Sequence, residues 1–495
     1  MIKSNIPIVI VWFKRDLRLE DNEAINSAIA SNKLVLLLYV IENSLIQNDH
    51  FSVRHLNFIK QSLVDLNQRL AKFNTEILAV SGEVQLIFEK LSKQFLIKKV
   101  YSHYETGIDI TYKRDKKIAK WFIENKITWH EKRQQGVFRG IVDRKNWSKL
   151  MNSFIDQPIK PLPEMKNKLV SLKTLKQIKK NFDLLELKTE HLNDVQLGGV
   201  TKANKYLESF FKNRYQNYQN HISKPDLSRK SCSRLSPYIS YGNLSIRQIF
   251  HQIKEKKRQT NNSFAIRAFE SRLRWHSHFI QKFDMEPSME FLSVNKGYHK
   301  LLKPINKKFI KAWEMGTTGV PIVDASMRCL VKTGYLNFRM RALIVSFFVH
   351  QLWQPWQACS AFLARQFLDF EPGVHFPQLQ MQAGETGINT LRIYNPVKNG
   401  REHDQNGDFT RKWLPEIKSL SDKLIHSPWL ITPLEEEIFE FKKGIDYPNP
   451  IVNLEETRRF ASDTLWNLKN DVIVFNENQR ILKKHTFGKR INSLK

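Results

Sequence analysis

Two opposite charges flank the most apolar stretch of this chain. Arg341 opens an almost uninterrupted apolar run, Ala342 to Trp356, and Asp369 lies downstream in another element. A helix over Arg341 to Trp353 would bury nearly all its faces and belong at a domain centre. Charges near such a core persist only when bonded to each other or to a bound polar group. The pair reads either as a structural ion pair, the commoner case, or as a clamp on a ligand. A second stretch, Ser231-Cys232-Ser233-Arg234-Leu235-Ser236-Pro237-Tyr238, is a hydroxyl-rich turn ahead of a helical region. Its small hydroxyls and free backbone N–H groups suit a phosphate or pyrophosphate, although spacing alone favours a plain cap and turn. A third segment mixes Arg267, Arg272, Arg274, Trp275, His276 and His278. Arg272 and Trp275 lie three apart and share a helix face, which could stack a base and hold phosphates. A solvated basic face with one core Trp fits the same spacing.

The elements that position these residues fall into two kinds. Pro7 to Phe13 reads as a buried parallel strand, followed by Lys33 to Val40, Thr75 to Val80, Lys99 to Tyr101 and Ile127 to Trp129. Helical patterns lie between them, most clearly Val53 to Leu70. Strand–helix alternation predicts a doubly wound parallel sheet, with ligands beyond the carboxyl ends of the strands, at Lys14 to Asn22 and His103 to Gly107. No Gly-x-Gly-x-x-Gly or Walker loop occurs. From Glu131 to about Glu190 the pattern loosens around Pro158, Pro161 and Pro163 and the Lys-rich piece Lys166 to Lys180, which predicts a partly helical, solvated connector. From Gly198 onward the chain reads as helical. Ser245 and Gln248 form a capping box ahead of an inner stripe of Ile246, Ile249, Phe250 and Ile253, and Ser263 to Phe283 is another long helix. The domain reading is α/β over 1–130, a connector over 131–197, a helical domain over 198–440 and a basic extension over 441–495. The extension has patchy apolar periodicity, and its last dozen residues are expected to be disordered.

At 495 residues the chain exceeds a single core. Its net charge of +30 is more than solubility requires and attracts polyanions, nucleic acid first. No apolar run approaches the roughly 20 residues that span a bilayer. The apolar stretch Ile6 to Phe13 precedes its positive charges, the reverse of a signal peptide. Only Cys232, Cys329 and Cys359 are present, too few for a disulfide framework or a four-cysteine metal site. A reducing, cytoplasmic setting without membrane contact is expected, with no metal.

The opening, Val11-Trp12-Phe13-Lys14-Arg15-Asp16-Leu17-Arg18-Leu19-Glu20-Asp21-Asn22, resembles that of the DNA photolyase/cryptochrome family. Ser233 to Tyr238, Arg272-Leu273-Arg274-Trp275, Trp313 to Met327, Asn337 to Arg341 and Arg392-Ile393-Tyr394-Asn395-Pro396 follow in the same family order. The resemblance covers about Ile8 to Ile417. It implies an N-terminal antenna domain, a helical domain holding FAD, and blue-light electron transfer to a pyrimidine dimer flipped out of UV-damaged DNA. The implied enzyme is a deoxyribodipyrimidine photo-lyase, a carbon–carbon lyase acting as a monomer on cyclobutane dimers. An antenna chromophore, a folate or a deazaflavin, is implied near the N-terminal sheet edge. The rival readings are a cryptochrome that signals without repair, and a nucleic-acid-binding flavoprotein that has lost its photochemistry.

By the same resemblance Ser233, Leu235 and Ser236 match the FAD-phosphate loop, and Tyr218 matches an upstream cofactor-binding Tyr. Arg341 and Asp369 match the ion pair beside the flavin, and His375 stands where the family commonly places an Asn facing flavin N5. Trp275 matches the aromatic against the lesion, with Arg272 and His276 beside it on the DNA side. Arg272 replaces a usual Glu, and Leu379 and Met381 stand at usual Trp positions. Trp356 matches the middle of the family's tryptophan chain, and Trp353 offers another electron path.

Overall fold

The computed structural model describes residues 7–190, 192–260 and 263–486. Five parallel strands, β1 (Pro7–Phe13), β2 (Leu34–Ile41), β3 (Leu78–Ser81), β4 (Leu96–His103) and β5 (Thr128–Lys132), form one sheet in the order β3-β2-β1-β4-β5. Helices α1 (Glu23–Ala30), α2 (Val53–Leu70), α3 (Val84–Ser92) and α4 (Asp109–Glu124) connect them. Period-two alternation sorts the strand residues. Val9, Val11, Phe13, Val35 and Leu37 meet Ala24 and Ile25 of α1 and Phe58 and Leu63 of α2. Ile8, Ile10, Trp12, Leu36 and Leu38 meet Ile87 and Phe88 of α3 and Ile118 and Phe122 of α4. Burial on both faces is why β1 and β2 read as continuous apolar runs. The sheet is doubly wound, as expected. β4 is longer than its apolar residues predict, because Lys98 and Lys99 interrupt the pattern while the backbone pairing to β1 continues past them.

Residues 131–197 pack more closely than a solvated connector would. They carry α5 (Trp147–Asp156) and α6 (Leu172–Lys179), and Leu175 and Ile178 of the Lys-rich piece are buried against the sheet half. The Val35 N–H donates to the Lys168 carbonyl and the Val170 N–H to the Val35 carbonyl. The Ser81 N–H bonds the Asp183 carbonyl, and the Leu185 N–H bonds the Ala79 carbonyl. This segment therefore covers strand groups that would otherwise form a bare edge.

The helical half contains α7 (Ile246–Gln259), α8 (Ser263–Met285), α9 (Phe338–Ser346), α10 (Trp356–Gln366) and α11 (Pro372–Gln382). The Ser245–Gln248 capping box and the stripe of Ile246, Ile249, Phe250 and Ile253 form as predicted. The helix expected from Arg341 to Trp353 is shorter. After Ser346 it widens into a π turn over Phe347–Gln351, and Trp353 has φ +51°. Buried His350 occupies this turn, 3.0 Å from Ser346 Oγ and 3.2 Å from the Ala383 carbonyl. The stretch after 441 is more ordered than its patchy periodicity predicts. It forms α12 (Leu454–Lys469) and α13 (Val472–His485), capped by Asn453 and Asp471 and burying Ala461, Leu465, Val474 and Ile481. Of the dozen terminal residues expected to be disordered, Lys484 and His485 close α13, and 487–495 lie outside the described residues.

Two glycines set close contacts. A Cβ on Gly373 would come within 2.7 Å of Ile280 Cα, so α11 and α8 cross nearly backbone to backbone. A Cβ on Gly242, at φ +70°, would lie 2.3 Å from the Arg15 carbonyl oxygen, where the helical half presses on the loop after β1. Among the described residues no helix is long and apolar enough to cross a membrane.

Candidate functional site

Asn337 starts α9, its side chain accepting from the Met340 N–H at 3.2 Å. That start puts Phe338 and Arg341 one turn apart on the same face. Arg341 Nη2 donates to both oxygens of Asp369, at 3.0 and 2.9 Å. Its Nε donates to the Leu336 carbonyl at 2.9 Å, and its guanidinium lies 4.0 Å from the Phe367 ring. The Asp369 side chain is 7% exposed and that of Arg341 is 30%, so the pair sits at the wall of the core. Neighbouring backbone is pinned from both halves of the molecule. Ser240 Oγ donates to the Asp369 carbonyl at 3.2 Å, and Arg15 Nη2 donates to the Phe370 carbonyl at 2.6 Å.

His375 lies one turn into α11. Burial pushes its pKa down to about 3, so the ring is neutral at physiological pH. Its Nε2 is 3.0 Å from the Ser360 carbonyl and 3.3 Å from Ser360 Oγ. A carbonyl can only accept, so the proton is on Nε2 and Nδ1 is left as an acceptor. Phe370 and Phe376 close over the ring at 5.1 and 5.2 Å.

The Ser231–Tyr238 turn runs from a short helix, Pro225–Ser231, into another, Ser236–Ser240. Arg234 sits at the corner with φ +59° and lays its guanidinium 3.6 Å from the Tyr335 ring. Arg214 braces the turn, donating to the carbonyls of Cys232, Ser233 and Tyr206. Leu235 is buried, and Ser233 and Ser236 stay partly exposed. Tyr218 is buried against Phe210 and Phe269, and Phe269 is one turn before Arg272 on α8.

On α8, Arg272 and Trp275 are exposed, Trp275 by 48%. Arg272 lies 4.7 Å over the Phe338 ring, and Arg339 lies 5.2 Å from the same ring. Trp275, Arg272, Phe338 and Arg339 thus form an aromatic and cationic rim next to Arg341. His276 follows Trp275 on α8. It is half-buried, its Nδ1 is enclosed without a partner, and burial pushes its pKa down to about 4, so it is a neutral ring and not a cation for phosphate. Phe338, Arg339, Arg234 and Arg214 were missed by sequence reasoning. Phe338 and Arg339 did lie inside the Asn337–Arg341 motif.

The two tryptophans singled out for electron transfer part company. Trp356 is fully buried at the start of α10, its Nε1 donating to Ser293 Oγ at 3.0 Å, one turn from the Ser360 that holds His375. Trp353 packs instead with Phe460 and Lys303 in a satellite cluster under α12 and α13.

Unpartnered buried groups remain around the pair: Arg234 Nε, His276 Nδ1, Ser277 Oγ and Arg339 Nε. Buried polar atoms normally have partners, and this mostly donor set matches a ligand rich in oxygen and nitrogen acceptors. The residues present therefore fit a nucleotide-bearing cofactor such as FAD.

A doubly wound sheet docked on a helical half that encloses a charge pair and waiting donors defines a two-domain protein built around a nucleotide cofactor. The model of the FAD binding domain of DNA photolyase matches residues 269–467, and the DNA photolyase model matches residues 9–151. The chain belongs to the DNA photolyase/cryptochrome family. It is 26% identical to the cryptochrome DASH of Synechocystis over 486 residues, covering 91% of this chain and 96% of that one. It is 24% identical to the deoxyribodipyrimidine photo-lyase of Alkalihalophilus pseudofirmus over 492 residues, again 91% and 96%. A class III photolyase from Agrobacterium tumefaciens shares the fold with a TM-score of 0.81 at 23% identity, over 95% of this chain and 99% of that one.

Proposed function

We propose that this chain is a light-driven, FAD-dependent DNA photolyase that repairs cyclobutane pyrimidine dimers. The observation that carries the reading is the adjacency on α9 of Phe338, part of an exposed aromatic and cationic rim, and Arg341, which clamps Asp369 at the core wall. Bound reduced FAD would supply the light-excited electron that splits the dimer.

The chain's own residues would do the rest. Arg341 and Asp369 would hold the flavin ring, with the guanidinium favouring an anionic form beside it. The turn from Ser233 to Ser236, braced by Arg214, would face the pyrophosphate, and Tyr218 would line the cofactor's far side. His375, neutral with an acceptor Nδ1, would receive a hydrogen bond from a flavin N–H but give none. His375, half-buried against Phe370 and Phe376, would help keep water from the ring. Trp275 and Phe338 would flank extruded bases, while Arg272 and Arg339 hold the flanking phosphates. Trp356 would lie on the electron route into the cofactor.

A cryptochrome-type photoreceptor without repair is the second reading. It is favoured by the uncharged His276 beside Trp275 and by His375 in place of the usual Asn. Photoreduced protein mixed with dimer-containing oligonucleotide, with and without blue light, distinguishes the two. Light-dependent recovery of intact thymines is expected. A flavin redox change without recovery would favour the photoreceptor.

A further inference from the structure

Doubly wound sheets receive ligands where the strand order reverses, here between the carboxyl ends of β1 and β4. In this chain that crevice is occupied by side chains. Lys14, at the end of β1, is 2.9 Å from Asp115 and 3.6 Å from Glu131, with its ammonium 4.6 and 5.0 Å from the Trp12 and Trp129 rings. Arg114 reaches Glu42 after β2 at 2.8 Å, Glu105 after β4 at 2.5 Å and Asp115 at 2.9 Å. Asp16 and His103 join at 2.7 Å, fully buried. The Lys14 side chain is 3% exposed and that of Arg114 is 11%.

The same loops dock the helical half. Arg15 is 3.5 Å from Glu371, Arg139 is 3.6 Å from Asp284, and Asp284 accepts from Thr106 at 3.1 Å and Tyr112 at 3.3 Å. The Asp109 N–H donates to Glu290 at 2.6 Å, and Gly242 lies directly against the Arg15 backbone.

We infer that this crevice is a domain-docking seam and not a seat for a second, flavin-type chromophore. A planar tricyclic ring placed between the ends of β1 and β4 would displace Lys14 or Arg114. That would strand Glu42, Glu105 and Asp115 as buried, unpaired carboxylates. A phosphate-bearing chromophore would in addition meet those carboxylates as like charges.

The inference goes beyond the repair reading and is tested apart from it, by stoichiometry. FAD-loaded full-length protein is dialysed to equilibrium against 8-hydroxy-5-deazaflavin, FMN or further FAD. One flavin per chain and no uptake of the second compound are expected, and uptake of a second equivalent would overturn the inference. In a second arm, Asp284→Asn, which loosens the contacts to Arg139, Thr106 and Tyr112 across the seam, is compared with wild type by denaturant unfolding. A lower midpoint, with the two halves unfolding in separate steps, is expected if the network is a seam. An unchanged single transition would contradict it.

Discussion

Asp369 is almost enclosed, whereas its partner Arg341 keeps about a third of its side chain open. Breaking a fully buried pair costs about 3–5 kcal/mol, and the exposed edge of Arg341 reduces this to about 1–2 kcal/mol. Asp369→Asn keeps the shape and removes the charge, so FAD affinity should fall about tenfold or more in a fluorescence titration. A second residue gives a pH signature. Burial raises the Glu371 pKa to about 7 despite Arg15 beside it, whereas the unfolded chain titrates near 4.3. The folded state then holds more protons between those values, so this group's contribution is full below about pH 4, falls as pH rises, and is gone above about pH 7. Glu371→Gln should therefore gain stability relative to wild type between pH 5 and pH 8, by on the order of 2 kcal/mol, measured by urea unfolding at both pH values. At this scale the sequence was legible wherever charge and apolarity conflict, as at Arg341 and Asp369. It was silent on the charge of His276, because residue type does not say how far neighbours from distant parts of the chain will desolvate a ring.

The elements were read best where one interaction fixes them. The Ser245–Gln248 box and the Val53–Leu70 helix stand where local pattern puts them. The misreadings share a cause, which is that long-range contact overrides local pattern. Lys98 and Lys99 hide part of β4, segment 168–185 is ordered by strand edges it follows by many residues, and α12 and α13 bury too few apolar residues to show a strong period. Gly242 is a sharp test of that long-range packing. A methyl group there meets the Arg15 carbonyl backbone and must also adopt φ +70°. Gly242→Ala should destabilise the protein by about 2 kcal/mol or more, read as a lower urea midpoint with unchanged slope.

For the molecule as a whole, the net charge of +30 is the feature that composition alone announces. DNA binding should weaken linearly in log–log against salt as counterions are released. Arg272→Gln should weaken binding to damaged and undamaged DNA alike and shrink the salt slope by about 1, measured by fluorescence anisotropy from low to moderate salt. The repair proposed for this chain depends on a flavin held in the helical half beside the Arg341–Asp369 pair. The most direct measurement is flavin content, by visible absorbance of the purified chain before and after reconstitution with FAD. One FAD per chain, lost or weakened in Asp369→Asn, is the expected result. A colourless chain that takes up no FAD would contradict it.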